Sequence, residues 1–148
     1  MLIPFLLRLL GMVAVPLVAS CAGGYHQDFR EAVAAQPVPP TSPLGPWKGE
    51  WRSEVNGHHG PLWCVIRPDG PDHHDFRYRA GWGALQFGDY THRAATRTGD
   101  GAIEFNGEMD LPGGVGVYQV EGRVTAEKFS AKYRSDRGDR GTMEMSRP

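Results

Sequence analysis

Trp47-Lys48-Gly49-Glu50-Trp51-Arg52-Ser53-Glu54 decides the fold class. Apolar or small residues at 47, 49, 51 and 53 alternate with charged ones at 48, 50, 52 and 54. A period of two places the first set on one face of an extended chain and the second on the other, as in a half-buried strand. The same alternation recurs to the end of the chain. After Asn56-Gly57-His58-His59-Gly60, which carries an Asn-Gly hairpin signal, Leu62, Cys64 and Ile66 form a second inward set. Beyond the break at Pro68-Asp69-Gly70-Pro71-Asp72, Phe76, Tyr78 and Ala80 face in while Arg77 and Arg79 face out. Gly81 to Gly83 then turns the chain into a strand on which Tyr90, His92 and Ala94 share a face.

Thr98-Gly99-Asp100-Gly101 is a further tight turn, after which Ile103, Phe105, Gly107 and Met109 alternate with polar residues as far as Pro112-Gly113-Gly114. Strands over 115–124 and 128–135 place Tyr118 with Val120, and Phe129 with Ala131 and Tyr133, on inner faces. A last strand over 141–147 turns Met143 and Met145 inward. Eight evenly spaced strands with short hairpins and no intervening helix predict an all-β fold, an eight-stranded antiparallel up-and-down barrel over residues 47–148. A sheet of that size tends to curl, and closing it removes the exposed edges. Trp51, Tyr78, Phe105, Phe129 and Tyr133 are expected to be buried together in its interior.

Upstream, Gln36 to Pro46 holds prolines at 37, 39, 40, 43 and 46, a pattern that favours polyproline II and forbids helix. At about 3.1 Å per residue such a stretch makes a spacer of roughly 30 Å. Before it, Tyr25 to Ala35 predicts a short helix, with Asp28 as N-cap and Phe29 and Val33 on one face. At the start of the chain Arg8 precedes an apolar run from Leu9 to Val18, then Ala19, Ser20 and Cys21. That run is well short of the roughly 20 residues a bilayer crossing needs. Extending it back to Met1 would bury Arg8 in mid-membrane at a cost of about 2.5–3.5 kcal/mol.

Val18-Ala19-Ser20-Cys21 resembles the lipobox of bacterial lipoprotein precursors. The resemblance implies a signal peptide over residues 1–20 that is cleaved, diacylglycerol on the sulfur of Cys21, and residues 21–46 as a lipid-anchored tether. It also implies a place on the periplasmic side of the cell envelope, with Ala22 in place of an aspartate favouring the outer membrane. The expected partners are therefore the membrane, through the lipid on Cys21, and envelope proteins.

The full chain balances 16 basic against 17 acidic side chains, and its arginines are interspersed with acids, so no nucleic acid is expected as a partner. With Cys21 acylated, Cys64 has no partner for an intrachain disulfide. It is expected inward as a small buried hydrophobe rather than an activated thiolate. His58-His59 and His73-His74 lie in successive hairpins, hence at opposite ends of an up-and-down barrel, roughly 26 Å apart at 3.3 Å per residue. No metal site is expected from them. The sequence contains no Gly-x-Ser-x-Gly elbow, no glycine-rich phosphate loop and no nucleophile beside a base, so neither catalytic residues nor a cofactor are assigned and the chain is not read as an enzyme.

Gly45-Pro46-Trp47 and Gly49-Glu50-Trp51 look like the Gly-x-Trp opening of lipocalin-like and avidin-like barrels. The ending Phe129-Ser130-Ala131-Lys132-Tyr133, then Asp139-Arg140-Gly141-Thr142-Met143-Glu144-Met145, looks like the final hairpin of such domains in envelope lipoproteins. That likeness implies a first-strand tryptophan plugging the closed end and a carrier or binder of small, often apolar molecules. Trp51, Tyr78, Trp82, Tyr90, His92, Tyr118 and Tyr133 are the candidate ligand-binding residues, with His58 and Trp82 as gate residues on the loops of the open end. The alternative is a filled barrel serving as a structural or protein-interaction module of the envelope, since an eight-stranded barrel can be either.

Overall fold

The structure, a computed structural model, describes residues 24–111 and 113–148; the signal peptide and the acylation expected at Cys21 lie outside the described residues. Eight strands follow one another: β1 (Gly45–Ser53), β2 (His59–Pro68), β3 (His73–Trp82), β4 (Leu85–Gly99), β5 (Ala102–Leu111), β6 (Gly116–Val124), β7 (Lys128–Ser135) and β8 (Arg140–Ser146). Each pairs antiparallel with the next, and β8 returns to β1, closing an up-and-down barrel. The β1–β2, β3–β4, β5–β6 and β7–β8 connections gather at one end, the mouth. The remaining connections and the entry to β1 lie at the other end, the base.

Closing so small a barrel needs close approach of backbones, and glycine allows it. A Cβ on Gly49 would lie 2.0 Å from the Glu144 carbonyl oxygen across the β1–β8 seam, and one on Gly141 would lie 1.9 Å from that of Arg52. The β4–β5 turn is tight for another reason: Asp100 and Gly101 both have positive φ, 52° and 72°, the mirror-image turn that suits strand twist. At Asn56-Gly57 only the glycine is left-handed. There the chain makes a wider loop in which the Ser53 amide donates to the His58 carbonyl at 2.8 Å.

Except at the mouthward end of β4, the inward faces are those the alternation predicts, and the base is filled. Trp47, Phe76 and Phe129 are fully buried and Phe105 is 4% exposed, with Phe76 and Phe105 ring centroids 4.4 Å apart. Trp47 plugs the base, its indole N–H donating to the Pro43 carbonyl at 3.0 Å. The Arg147 guanidinium covers its face at 3.8 Å. Arg147 also donates to the carbonyls of Leu44, Pro46 and Ala126 at 2.9–3.0 Å and to that of Ser42. Burial brings its pKa down to about 10, and the carbonyl cluster is what satisfies its donors. Trp51 departs from expectation. It is only partly buried, packing against the rim of the core and donating from its indole N–H to the Gly81 carbonyl at 2.9 Å.

The segment before the barrel is not a free spacer. The helix α1 (Gly24–Ala35) forms where expected, but its anchor is Tyr25, 3% exposed, while Val33 is 38% exposed. Asp28 is not the N-cap either. It sits inside the helix, where its carboxylate takes a bidentate contact from Arg67 and a 2.6 Å hydrogen bond from Arg77. Burial pushes this carboxyl up, but the two arginines outweigh it and hold it below the ordinary carboxylate range. Tyr25 donates to the Arg77 carbonyl at 3.2 Å, and the Arg77 guanidinium lies 5.3 Å from its ring centre. An isolated helix of this length is marginal in water, so it gains stability by docking on the barrel wall. This docking accounts for the complete burial of Val65, which points outward between two inward residues. The proline-rich stretch then runs under the base, held by Arg147, instead of extending about 30 Å into solvent.

A candidate ligand cavity at the barrel mouth

Above the aromatic base the barrel is not filled. A cavity of about 200 Å³ lies at the mouth, with Trp51, Leu62, Tyr78, Tyr90, Met109, Leu111, Tyr118, Tyr133 and Met143 in its wall and Phe87 and Val115 at its edge. Its lining is almost wholly apolar. On the scale set by an apolar cavity of about 150 Å³ that stays dry and takes benzene, it suits one substituted ring or a short alkyl chain.

Two irregularities of the wall make this space. The first is a bulge: Tyr78 pairs with Tyr90, yet Ala80 pairs with Phe87, so β4 carries an extra residue between these pairs. Gly88 takes up the bend with φ 79°. The parity of β4 changes there, which turns Phe87 toward the cavity where strict alternation would have placed Gln86. The second is a parting of strands. β4 and β5 pair only over Ala95–Gly99 with Ala102–Asn106, so toward the mouth the two strands splay and the cavity opens between Phe87 and Leu111.

His92 fills the wall at the apex of that opening. A Cβ on Gly107 would lie 2.4 Å from its Nε2, so the imidazole occupies the space that any other residue at 107 would take. The ring is 4% exposed, and its Nδ1 is buried without a hydrogen-bond partner among the described residues. His92 is thus part of the core beneath the cavity and not of its lining. Burial lowers its pKa, and that of His74, below the ordinary histidine value.

The unfolded chain takes up these protons near pH 6.5 while the folded one resists until lower pH, so protonation favours the unfolded state within that window. Stability should therefore be flat above about pH 6.5, fall as the pH drops below it, and level off under the folded-state pKa values. Thermal melts of wild type and His92→Gln across this range check the account. The variant should have a shallower acid slope, and an unchanged slope would show that His92 is protonated without cost in the folded state.

Five of the seven candidate residues, Trp51, Tyr78, Tyr90, Tyr118 and Tyr133, meet in the wall of this one cavity; His92 and Trp82 do not. Trp82 is 47% exposed on the β3–β4 hairpin and stacks outside on His58, ring centroids 5.0 Å apart. Phe87, Leu111 and Val115 had no place among the candidates. Gly88, a glycine inside a strand pattern, was the available signal for the bulge that turns Phe87 inward.

The polar groups of the site are few. Tyr78 lies in the wall with its hydroxyl buried and unpartnered among the described residues, and burial raises its pKa well above the usual phenol value. Opposite, Asp139 accepts hydrogen bonds from Ser53 at 2.5 Å and from Tyr133 at 3.4 Å. Burial, with the Asp139 charge, raises the Tyr133 pKa too. The Cys64 thiol is fully buried and its pKa is raised by that burial, which makes it inert as a nucleophile at neutral pH.

Comparison with protein-family models, with curated proteins and with solved structures returned no match.

Proposed function

We propose that the protein is an envelope lipoprotein, anchored through Cys21 on the periplasmic side with the outer membrane favoured, whose barrel binds a small apolar or aromatic molecule at its mouth. The observation that carries this reading is the apolar cavity of about 200 Å³ walled by Trp51, Tyr78, Tyr90, Tyr118 and Tyr133. A cavity of that size and lining suits a small, mostly apolar molecule such as a single-ring phenol or a short-chain alcohol. Arg79 and Asp139, of opposite charge, are the charged residues at the cavity, and Asp139 is already engaged by Ser53 and Tyr133; with the rest of the lining apolar, the ligand class proposed is neutral. The likeness of the first strand to Gly-x-Trp barrels supports the same reading through Trp47, which seals the base and leaves the mouth as the entrance.

Titration with single-ring phenols and short-chain alcohols, followed through the fluorescence of Trp51 at the cavity edge, tests the proposal. Binding should be saturable. Met143→Trp, which fills the cavity, should abolish it. An absence of saturable binding to every probe would favour the filled-core structural or interaction module instead.

A further inference from the structure

Most of the large exposed apolar side chains lie at one end of the barrel. Val55, Trp82, Leu85, Phe87 and Val115 are five of the seven large apolar side chains exposed among the described residues, and all five stand on the mouth. Leu85 is 65% exposed and Trp82 and Phe87 are each 47% exposed, so the β3–β4 hairpin leads this rim. The turns at the base, Pro68-Asp69-Gly70-Pro71-Asp72, Thr98-Gly99-Asp100-Gly101 and Thr125-Ala126-Glu127, show only polar, charged or small residues and proline. Val38, 93% exposed on the stretch beneath the base, and the exposed charged turn Asp136-Arg137-Gly138 at the mouth are the exceptions. The apolar patch is therefore the part of the rim led by the β3–β4 hairpin, and such a patch marks a contact surface, with Trp, Phe and Leu the side chains that settle at a lipid–water interface.

The docked helix points the N-terminus toward the same end. Tyr25 lies against Arg77 and Arg79 on the outer face of β3, with guanidinium carbons 5.3 and 5.9 Å from its ring centre. One turn later Asp28 reaches Arg67, which pairs with Asp75 and is nearer the base. The helix therefore runs baseward, and the chain before Gly24 leaves from its mouthward end. Gly24 lies beside Arg77, a Cβ there being 3.9 Å from its Nη2, and from Arg77 to Trp82 is about 17 Å along the strand. The three residues from Cys21 to Gly24 can span about 10 Å of that, on the side of the barrel where β3 and β4 carry the exposed rim, and the lipid chains proposed on Cys21 extend further.

We infer that the mouth faces the membrane, with Trp82, Leu85 and Phe87 inserted among the acyl chains of the leaflet that holds the N-terminal lipid. This rests on the acylation of Cys21 proposed above and adds an orientation to it. The cavity then opens, through the parted β4 and β5, onto the bilayer instead of the aqueous phase. An apolar ligand need not cross water to reach it.

The experiment uses the protein purified from membranes and reconstituted into vesicles of phosphatidylethanolamine and phosphatidylglycerol that contain a lipid brominated on its acyl chain. Mass spectrometry of the same sample reports the state of Cys21. With Cys21 acylated, bromine should quench tryptophan emission in the wild type, and Trp82→Phe, a conservative change at an exposed loop position, should lose most of that quenching. Acylated protein with no quenching, or with quenching unchanged in Trp82→Phe, overturns the membrane-facing mouth while leaving the anchor intact. An unmodified Cys21 overturns both. Trp82 shielded in a dimer, seen as a doubled mass in sedimentation and no bromine quenching, would assign the rim to a second copy of the chain.

Discussion

Trp47→Ala should lower the stability of the barrel by about 3–5 kcal/mol, the range for truncating a large buried aromatic. In a domain of this size that corresponds to a fall in Tm on the order of 10–20 °C. The effect is at the top of the scale because the side chain does three things at once. It is fully buried, it packs 6.1 Å from the Phe129 ring centre, and it gives the Arg147 guanidinium a face to rest on at 3.8 Å. Truncation leaves a void at the base and strips a partly buried cation of its aromatic partner, so the Arg147 clamp on the preceding segment loosens as well. Trp51→Ala should cost less, since its ring is only partly buried against the core, and should act mainly on the cavity it borders. Thermal melts of the two variants separate these roles. Equal losses, or a larger loss at Trp51, would show that the base plug has been assigned to the wrong tryptophan.

Gly49→Ala should be as damaging although it adds a single methyl group. The new Cβ would lie 2.0 Å from the Glu144 carbonyl oxygen and 2.7 Å from the Met145 Cα, and both are backbone atoms held in the β1–β8 ladder. A flexible side chain can swing away from such a contact, whereas backbone moves only by opening the seam that closes the barrel. Overpacking a core typically costs 1–3 kcal/mol, and about 3 kcal/mol or more is expected here because closure itself is at stake. Gly57→Ala in the mouth loop has nothing within 4 Å, so it carries only the strain of its positive φ and serves as the comparison. Hydrogen exchange of the β1 and β8 amides provides the measurement. Protection should collapse along that seam in Gly49→Ala and persist in Gly57→Ala.

The fold was legible in the sequence because alternation is strict where one face is buried and the other is wet. Phe76, Tyr78, Phe105, Phe129 and Tyr133 were placed inside by period alone. The same rule failed where the backbone broke period. Gly88 inserts a residue into β4, and Phe87 consequently joins the cavity that parity would have given to Gln86. The helix was legible but its docking was not, because contacts between Asp28 and Arg67 or Arg77 join residues far apart in the chain and follow no local pattern. Val65 illustrates the same limit: an outward position reads as exposed until a helix is laid over it. The proline count correctly excluded helix after Ala35, yet it could not say that Arg147, at the far end of the sequence, holds this stretch against the base. Of the candidate residues, the tyrosines share one cavity wall because they lie on inward faces. Trp82 stands on the mouth loop, stacked on His58, and His92 in the core; residue type alone does not tell a loop stack or a core wedge from a cavity wall.

The most direct test of the cavity as a ligand site uses the methionines. Beyond residue 20 the chain has three, Met109, Met143 and Met145. The first two line the cavity, while Met145 packs in the core opposite Phe129. With methyl-labelled methionine, titration with a neutral single-ring phenol should shift the Met109 and Met143 resonances in nuclear magnetic resonance spectra along one saturable curve and leave Met145 in place. Three unmoved methyl resonances at the highest phenol concentration, or three that drift together without saturating, would contradict the account.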